Sequence, residues 1–390
     1  STIYKFFKKK IRMAKIYTAL GLMSGTSMDG VDASIIQTDG KSKYKVILDK
    51  YFEYPKSIYN DLTILRNKIK ISKDLKKLQK QIKSIEKDIT IFHAESVEKI
   101  LKKTRLNIDF IGFHGQTIFH NSKEKITKQL GDGKLLSKLT KKKVVYDFRQ
   151  NDLENGGEGA PLTPIFHKLI IEQKKIKSPV IIINLGGIAN YTLIWQDKKI
   201  PPQNHLLSAD TGPGNCLIDQ WIRKKINMPF DKKGKIAKLG NINKKIIGKL
   251  LNTHPVKKSY DIKDFNLTLI KKLSLEDGAA TLIEYTAESL IRNILDFLEN
   301  TQWFKTINIL LCGGGRKNNF LVSIIKKKTA ISKTHRPVKL IDSLGIDGDF
   351  VESQAFGYLA IRSYLKLPIS FPDTTGCKEP STGGVIVKNY

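Results

Sequence analysis

Cysteine is scarce in this 390-residue chain: Cys216, Cys312 and Cys377 lie far apart, with no Cys-x-x-Cys pair. That excludes a disulfide framework and a cysteine zinc site, and it fits a reducing cytosol. Long hydrophobic runs are missing too. No segment approaches the roughly 18 apolar residues that a membrane span needs. Arginine supplies nine of the 68 basic residues, so few planar forks are available to read bases or grip phosphates. Also absent are a Walker-type phosphate loop ending in Gly-Lys, a protein-kinase glycine loop with its lysine, and the His-Glu-x-x-His spacing of zinc proteases.

What is abundant is lysine. Against 37 acids, the basic residues give a formal net charge of +31, which raises nucleic acid, a membrane surface or a phosphorylated ligand as partners. Acids interleave most of the basic runs, however, and no nucleic-acid motif or stacking set of aromatics accompanies them. Neither a nucleic-acid nor a membrane partner is expected, and the lysine excess reads as compositional bias. The 40% hydrophobic and 8% aromatic content suffices for packed cores. The length suggests two domains, because single cores rarely grow past about 250–300 residues. Residues 1–13 read as a basic, dispensable leader, since Met13 opens Met-Ala-Lys-Ile-Tyr just before the first strand-like run. The apolar stretch 16–23 mimics a signal peptide, but it is short and runs into a glycine motif that cleavage would destroy.

One pattern recurs three times: an apolar run, a tight glycine turn, then small or polar residues. It occurs at 19–30, 180–187 and 309–315. In the first two a second strand-like run follows, at 31–36 and 191–195, which predicts β-hairpins with backbone N–H groups uncovered at the tip. Two such hairpins, one in each half, imply two related domains with facing turns. Leu75, Leu78, Ile82, Ile85, Ile89 and Phe92 form one apolar stripe and predict a single long helix. Further helices are expected over 276–300 and 350–366, and short strands over 110–113 and 144–146. Strands alternating with helices place the fold in the α/β class, with a boundary near 147–164.

The first turn carries the strongest site. Ser24 through Asp32 combine N–H groups, three hydroxyls and two carboxylates in nine residues. Phosphate oxygens want such donors, and Asp29 and Asp32 beside them would hold Mg²⁺ directly or through water. The second site is Asp210 in Asp-Thr-Gly-Pro-Gly, a strand-end carboxylate able to take a proton or bind a metal, with a helix N-cap network as the alternative. At Gly313, Gly314 and Gly315 the alternatives are a flexible turn and a flat backbone surface for a purine ring. His114 follows the 110–113 strand and His120 comes six residues later; without zinc spacing, both read as ligand hydrogen-bonders. Arg149 would clamp a carboxylate or pair with Asp152. Glu352 opens the last helix, where an acid commonly caps. His93 and His167 fall on predicted helices and read as packing or surface histidines.

Seven segments in order give the chain a family likeness. They are GLMSGTSMDGVDASI at 21–35, IGFHGQTIFH at 111–120, YDFRQNDLENGGEGAPLTPIFH at 146–167, INLGGIANYT at 183–192, DTGPGNCLID at 210–219, LCGGGRKN at 311–318 and GDFVESQAFGYLA at 348–360. Together they resemble the anhydro-N-acetylmuramic acid kinase family, over nearly the whole chain.

The resemblance implies two related actin-like (ribonuclease H-like) α/β domains with an ATP cleft between them. Residues 14–148 would form the N-terminal domain, 149–369 the C-terminal one, and 370–390 would return to the first. It implies ATP and Mg²⁺ as cofactors, the metal reaching the protein through ATP phosphates with protein ligands unknown. It also implies a small anhydrosugar as partner and a cytoplasmic location; a homodimer stays open. The implied reaction phosphorylates the 6-oxygen of 1,6-anhydro-N-acetylmuramic acid while water opens the anhydro bridge, one carboxylate base serving both events. Asp210 matches the catalytic aspartate and, at an ordinary pKa near 4, would be ionised without tuning. His114, Gln116, Arg149 and Glu352 match positions lining the sugar pocket. Gly25, Thr26, Ser27, Met28, Asp29, Gly30, Val31 and Asp32 match a phosphate loop, Gly186 and Gly187 a second, and Gly313–Gly315 with Asn318 the adenosine loop. The stretch 257–266 departs from the family pattern in its middle and is expected at the cleft mouth, where it bears on substrate detail. A kinase for another anhydrosugar, and more remotely a basic nucleic-acid-binding protein, are the competing readings.

Overall fold

The computed structural model describes residues 14–196, 205–254, 259–298, 307–331 and 337–390. The expected leader therefore lies outside the described residues. The first sheet contains β1 (Tyr17–Ser24), β2 (Gly30–Thr38), β3 (Tyr44–Glu53), β4 (Phe110–Asn121), β5 (Ile126–Leu130) and β6 (Lys143–Tyr146). The second contains β7 (Val180–Leu185), β8 (Ile188–Ile194), β9 (Leu206–Pro213), β10 (Asn308–Cys312) and β11 (Val338–Leu340). A last strand, β12 (Val385–Val387), pairs with β6 at the outer edge of the first sheet.

The strand orders β3-β2-β1-β4-β6 and β9-β8-β7-β10-β11 are the same arrangement twice. In each, an antiparallel meander of three strands is followed by two strands parallel to the first. This repeated ribonuclease H-like topology is the expected two-sheet α/β fold, and each predicted glycine hairpin, β1–β2 and β7–β8, is present.

The helices are α1 (Lys56–Lys68), α2 (Ser72–Lys77), α3 (Gln79–Leu101), α4 (Gly133–Thr140), α5 (Gln150–Glu154), α6 (Pro164–Gln173), α7 (Cys216–Ile226), α8 (Lys244–Thr253), α9 (Leu275–Leu298), α10 (Asn319–Ile331), α11 (Val351–Tyr364) and α12 (Pro372–Thr375). Period-two alternation sorts the apolar runs between cores. In β1, Leu20 and Leu22 face α1 and α3, while Ala19 and Met23 face a middle core. In β7, Ile181, Ile183 and Leu185 face the side of α7 and α9, while Val180 and Ile182 face that same middle core. The middle core holds Phe166 and Ile170 of α6 with Phe356 and Leu359 of α11. Both sheets thus share one apolar layer. No described helix is long and apolar enough to cross a membrane.

Two expectations change, and a third runs past the described residues. The single stripe helix breaks at Leu78, whose N–H turns back to the Asp74 and Lys76 carbonyls, although the stripe stays on one face and Ile82, Ile85 and Ile89 are buried. The strand expected over 110–113 runs on to Asn121, because β5 supplies an antiparallel partner that local sequence does not reveal. Helix α9 starts at Leu275 and is described to Leu298, so the end expected at residue 300 lies outside the described residues.

Helix α11, within the 149–369 stretch, packs on β1, β2 and β4. Its approach needs glycine at two paired positions. A Cβ on Gly21 would run into the Ser353 carbonyl oxygen, and one on Gly112, its register partner, into that of Phe356. Backbone cannot step aside as a side-chain tip can, so Gly112→Ala is expected to cost about 1–3 kcal/mol of stability. A denaturation midpoint equal to that of the unmodified protein would contradict this packing account.

Candidate active site

The first turn is braced from behind. His93, buried on α3, has Nδ1 2.8 Å from the Ile89 carbonyl, so that nitrogen carries the proton. Its Nε2 therefore accepts from Ser24 Oγ (3.2 Å), which accepts in turn from the Tyr54 hydroxyl (2.8 Å). Ser24 ends β1, so this chain fixes where the glycine turn begins. Gln116 donates to the Gly25 carbonyl (2.9 Å), and Arg66 of α1 donates to that of Thr26 (2.9 Å). Ser27 donates to Asp29 (2.6 Å), Met28 is buried at a positive φ of 59°, and Asp32 follows on β2.

The second turn meets the first. A Cβ on Gly187 would run into Thr26 Oγ1, so the two glycine tips face each other at close range, as the sequence implies. Gly187 accepts from the Gly214 N–H (3.0 Å), and Asn215 donates to the Leu185 carbonyl (2.9 Å), which ties the Asp-Thr-Gly-Pro-Gly segment to the turn. At the third turn, Gly314 opens onto free space, while Gly313 and Gly315 pack against Asn184 and Leu185. Asn318 caps α10 by accepting from the Leu321 N–H (3.0 Å). Arg316, 4% exposed, meets Asp342 (2.7 Å), Asp347 (3.1 Å) and Asp349 (2.5 Å). This network joins the third turn to the segment leading into α11.

Between these turns lies a set of enclosed charges. His114 is 5% exposed, and burial with the neighbouring Arg149 cation holds its pKa well below the usual histidine value. Arginine can only donate, so His114 Nε2 accepts from Arg149 Nε (3.1 Å) and Nη2 (2.9 Å), while its Nδ1–H donates to the Gly115 carbonyl (2.7 Å). Arg149 also donates to the Gly159 carbonyl (2.7 Å). It bonds His114 rather than Asp152, whose carboxylate is taken by the Gly159 N–H and Thr375.

Asp210, 8% exposed on β9, accepts from the Tyr260 N–H (2.8 Å). Burial pushes its pKa up to about 7, against the lowering effects of that bond and of Arg149; Glu158 pushes it further up. The unperturbed value near 4 expected from sequence is therefore corrected, because enclosure disfavours the carboxylate. Glu352, in the first turn of α11, accepts from Asn184 (3.3 Å). Burial raises its pKa while Arg149 opposes the rise.

Asp32 is pushed up to about 8, by burial first and then by Glu352, Asp29 and Asp349. Such mutually repelling oxygens suit a hard divalent cation. Among the described residues no group of three acidic, histidine or cysteine side chains converges to hold an ion alone. A Mg²⁺ ion here would draw most of its oxygens from phosphate and water, with Asp32 nearest to hand.

Sequence reasoning names Asp210, Arg149, His114 and Glu352, and they form one electrostatic group. It also names Gln116, whose amide nitrogen supports Gly25 while its buried Oε1 has no hydrogen-bond partner among the described residues. Both ring nitrogens of His120 bond within the protein, to Thr127 (3.0 Å) and the Glu158 carbonyl (2.8 Å). His167 is buried against Thr192 (2.8 Å). His93, Arg66, Asn184, Tyr260 and Arg316 are missed as site residues; all but Arg66 lie within or beside a stretch the sequence singles out for other reasons.

The sequence profile of the family described as anhydro-N-acetylmuramic acid kinase matches residues 17–389. The anhydro-N-acetylmuramic acid kinase of Pelagibacter ubique is 52% identical, over 97% of this chain and all of that protein. Proteins of the same description from Zymomonas mobilis and Agrobacterium fabrum are 38% and 35% identical, over 94% and 96% of this chain and 99% and 100% of their own lengths.

The raised acids make stability depend on pH. An acid with a raised native pKa binds its proton more tightly when folded, so its stabilisation is complete below the unfolded value near 4 and is lost as pH rises through the folded value. Asp210 covers the window up to about 7 and Asp32 up to about 8. The nucleotide-free protein is expected to lose stability between about pH 5 and about pH 8, and Asp210→Asn to remove on the order of 2 kcal/mol of that loss. Urea midpoints of the variant that fall in parallel with the unmodified protein would contradict the burial assignment.

Proposed function

The chain belongs to the anhydro-N-acetylmuramic acid kinase family, and from that premise we propose that it acts on 1,6-anhydro-N-acetylmuramic acid, using ATP to phosphorylate the 6-oxygen while water opens the anhydro bridge. The products are N-acetylmuramic acid 6-phosphate and ADP. What supports the reading most is an enclosed carboxylate, Asp210, on the second sheet, in the field of a guanidinium, Arg149, that His114 fixes from the first.

Asp210 is the general base. With its pKa near 7 it is ionised in a useful fraction at neutral pH and still basic enough to take a proton from water in the transition state. That water attacks the anomeric carbon; the bridge oxygen departs with the bond's electron pair and attacks the γ-phosphorus of ATP. Arg149 favours the ionised carboxylates of Asp210 and Glu352, and His114 acts through it by locking the guanidinium plane. Glu352 holds a sugar hydroxyl. The N–H groups of the Gly25–Gly30 and Gly186–Gly187 turns meet the ATP phosphates, and the open face at Gly314 takes the adenosine. Asp32 is the carboxylate that would help hold Mg²⁺, which when bound would supply neutralisation of phosphate charge. Three buried free cysteines accord with work in a reducing cytoplasm.

Asp210→Asn is expected to lower turnover roughly 10²–10⁴-fold, about 3–5 kcal/mol, while calorimetry still shows ATP and sugar binding. A variant that keeps near-full turnover would take the base role away from Asp210.

A further inference from the structure

One segment of the second half reaches across to the first while holding the base. The Tyr260 N–H donates to Asp210 Oδ2 (2.8 Å), and three residues on, Lys263 Nζ donates to the Ile69 carbonyl (2.7 Å). The same ammonium lies 5.2 Å from the centre of the Phe119 ring. Ile69 is the C-cap of α1, where the last carbonyls have no partner within the helix and its dipole favours a cation. Arg66, just before it, grips the first glycine turn at Thr26 (2.9 Å). The two ends of the segment are rigidly joined. Asp261 accepts from the Lys263 N–H (2.8 Å), its own N–H donates to Asp264 (3.0 Å), and Tyr260 and Phe265 are buried against each other. Ile262, between them, lies beside the Gly187 turn.

We propose that Lys263 is a positioning residue: by fastening residues 259–267 to the end of α1, it keeps the Tyr260 N–H on Asp210 when the two halves are drawn together. The ordering of the phosphate turn and the setting of the base are then one event, linked through α1. The inference rests on Asp210 being the base.

The sign of its effect is fixed. Asp210 faces Arg149 from the segment after β6, Glu158 from the segment after α5, and the Tyr260 N–H; Arg149 and the N–H favour the carboxylate and Glu158 opposes it. Lys263 itself faces Asp261 and Asp74, which favour its charge, and Lys70 and Arg66, which oppose it. Releasing the Tyr260 N–H lets the Asp210 pKa rise.

The test is the pH dependence of kcat in the full-length enzyme, with Mg·ATP and the anhydrosugar, for Lys263→Met and Lys263→Arg. Lys263→Met is expected to move the acid limb up by about half a unit, a loss of about threefold below the limb that disappears at alkaline pH. Lys263→Arg, which keeps a permanent cation, is expected to keep the limb of the unmodified enzyme. A Lys263→Met enzyme whose limb stays in place, or which loses turnover equally at every pH, overturns the proposal. Asp210→Asn measured alongside separates the two claims: if it retains turnover, the base assignment fails. If it is inactive and Lys263→Met keeps the original limb, the positioning role alone fails.

Discussion

The guanidinium of Arg149 is the interaction on which the rest of the cleft depends. Two carboxylates, Asp210 and Glu352, are enclosed near it, and taking such groups out of water costs several kcal/mol each unless a cation compensates. Burial already lifts Asp210 to about 7 with Arg149 present. Without that cation burial would push both acids further up, and less of Asp210 would be ionised at neutral pH. Arg149 can compensate because it is itself immobilised, by His114 on one side and the Gly159 carbonyl on the other. Its partners come from β4, β9 and α11, so the charge balance requires both sheets and the apolar layer between them.

The fold delivers those partners through close backbone contacts more than through large side chains. Helix α11 sinks onto β1 and β4 over Gly21 and Gly112, which brings Glu352 down to Asn184 at the end of β7. Arg316 then joins the third glycine turn to the same helix by holding Asp342, Asp347 and Asp349. A nucleotide seated on the third turn and a sugar beside Glu352 would press on one connected unit. Helix, strand ends and third turn thus form one mechanical frame.

Much of this frame is legible in the sequence, and the reason is local. Glycine turns flanked by alternating apolar residues specify hairpins through neighbours only, so the two hairpin turns and the strand-end Asp210 stand out. What is not legible depends on distant partners. The Asp210 pKa is set by enclosure and by an N–H fifty residues away at Tyr260. The extension of β4 depends on β5, and the break at Leu78 on a backbone turn that an apolar stripe does not encode. His93 reads as packing because its role lies in a Ser24–Tyr54 chain spread over three elements. Among the described residues, the lysine that reaches the base-holding segment is Lys263, and Lys317 pairs with Asp349. The run Lys326–Lys328 points Lys328 at Glu284 and Glu288 (2.6 and 2.5 Å) on a neighbouring helix.

The central claim is that water attacks carbon while the freed sugar oxygen attacks phosphorus. Turnover in ¹⁸O-enriched water, stopped early and followed by mass spectrometry of the separated sugar and phosphoryl fragments, tests it most directly. One ¹⁸O in the anomeric hydroxyl with an unlabelled phosphoryl group is the expected result. Label in the phosphoryl group, or a phosphorylated sugar that has taken up no water oxygen, would contradict it.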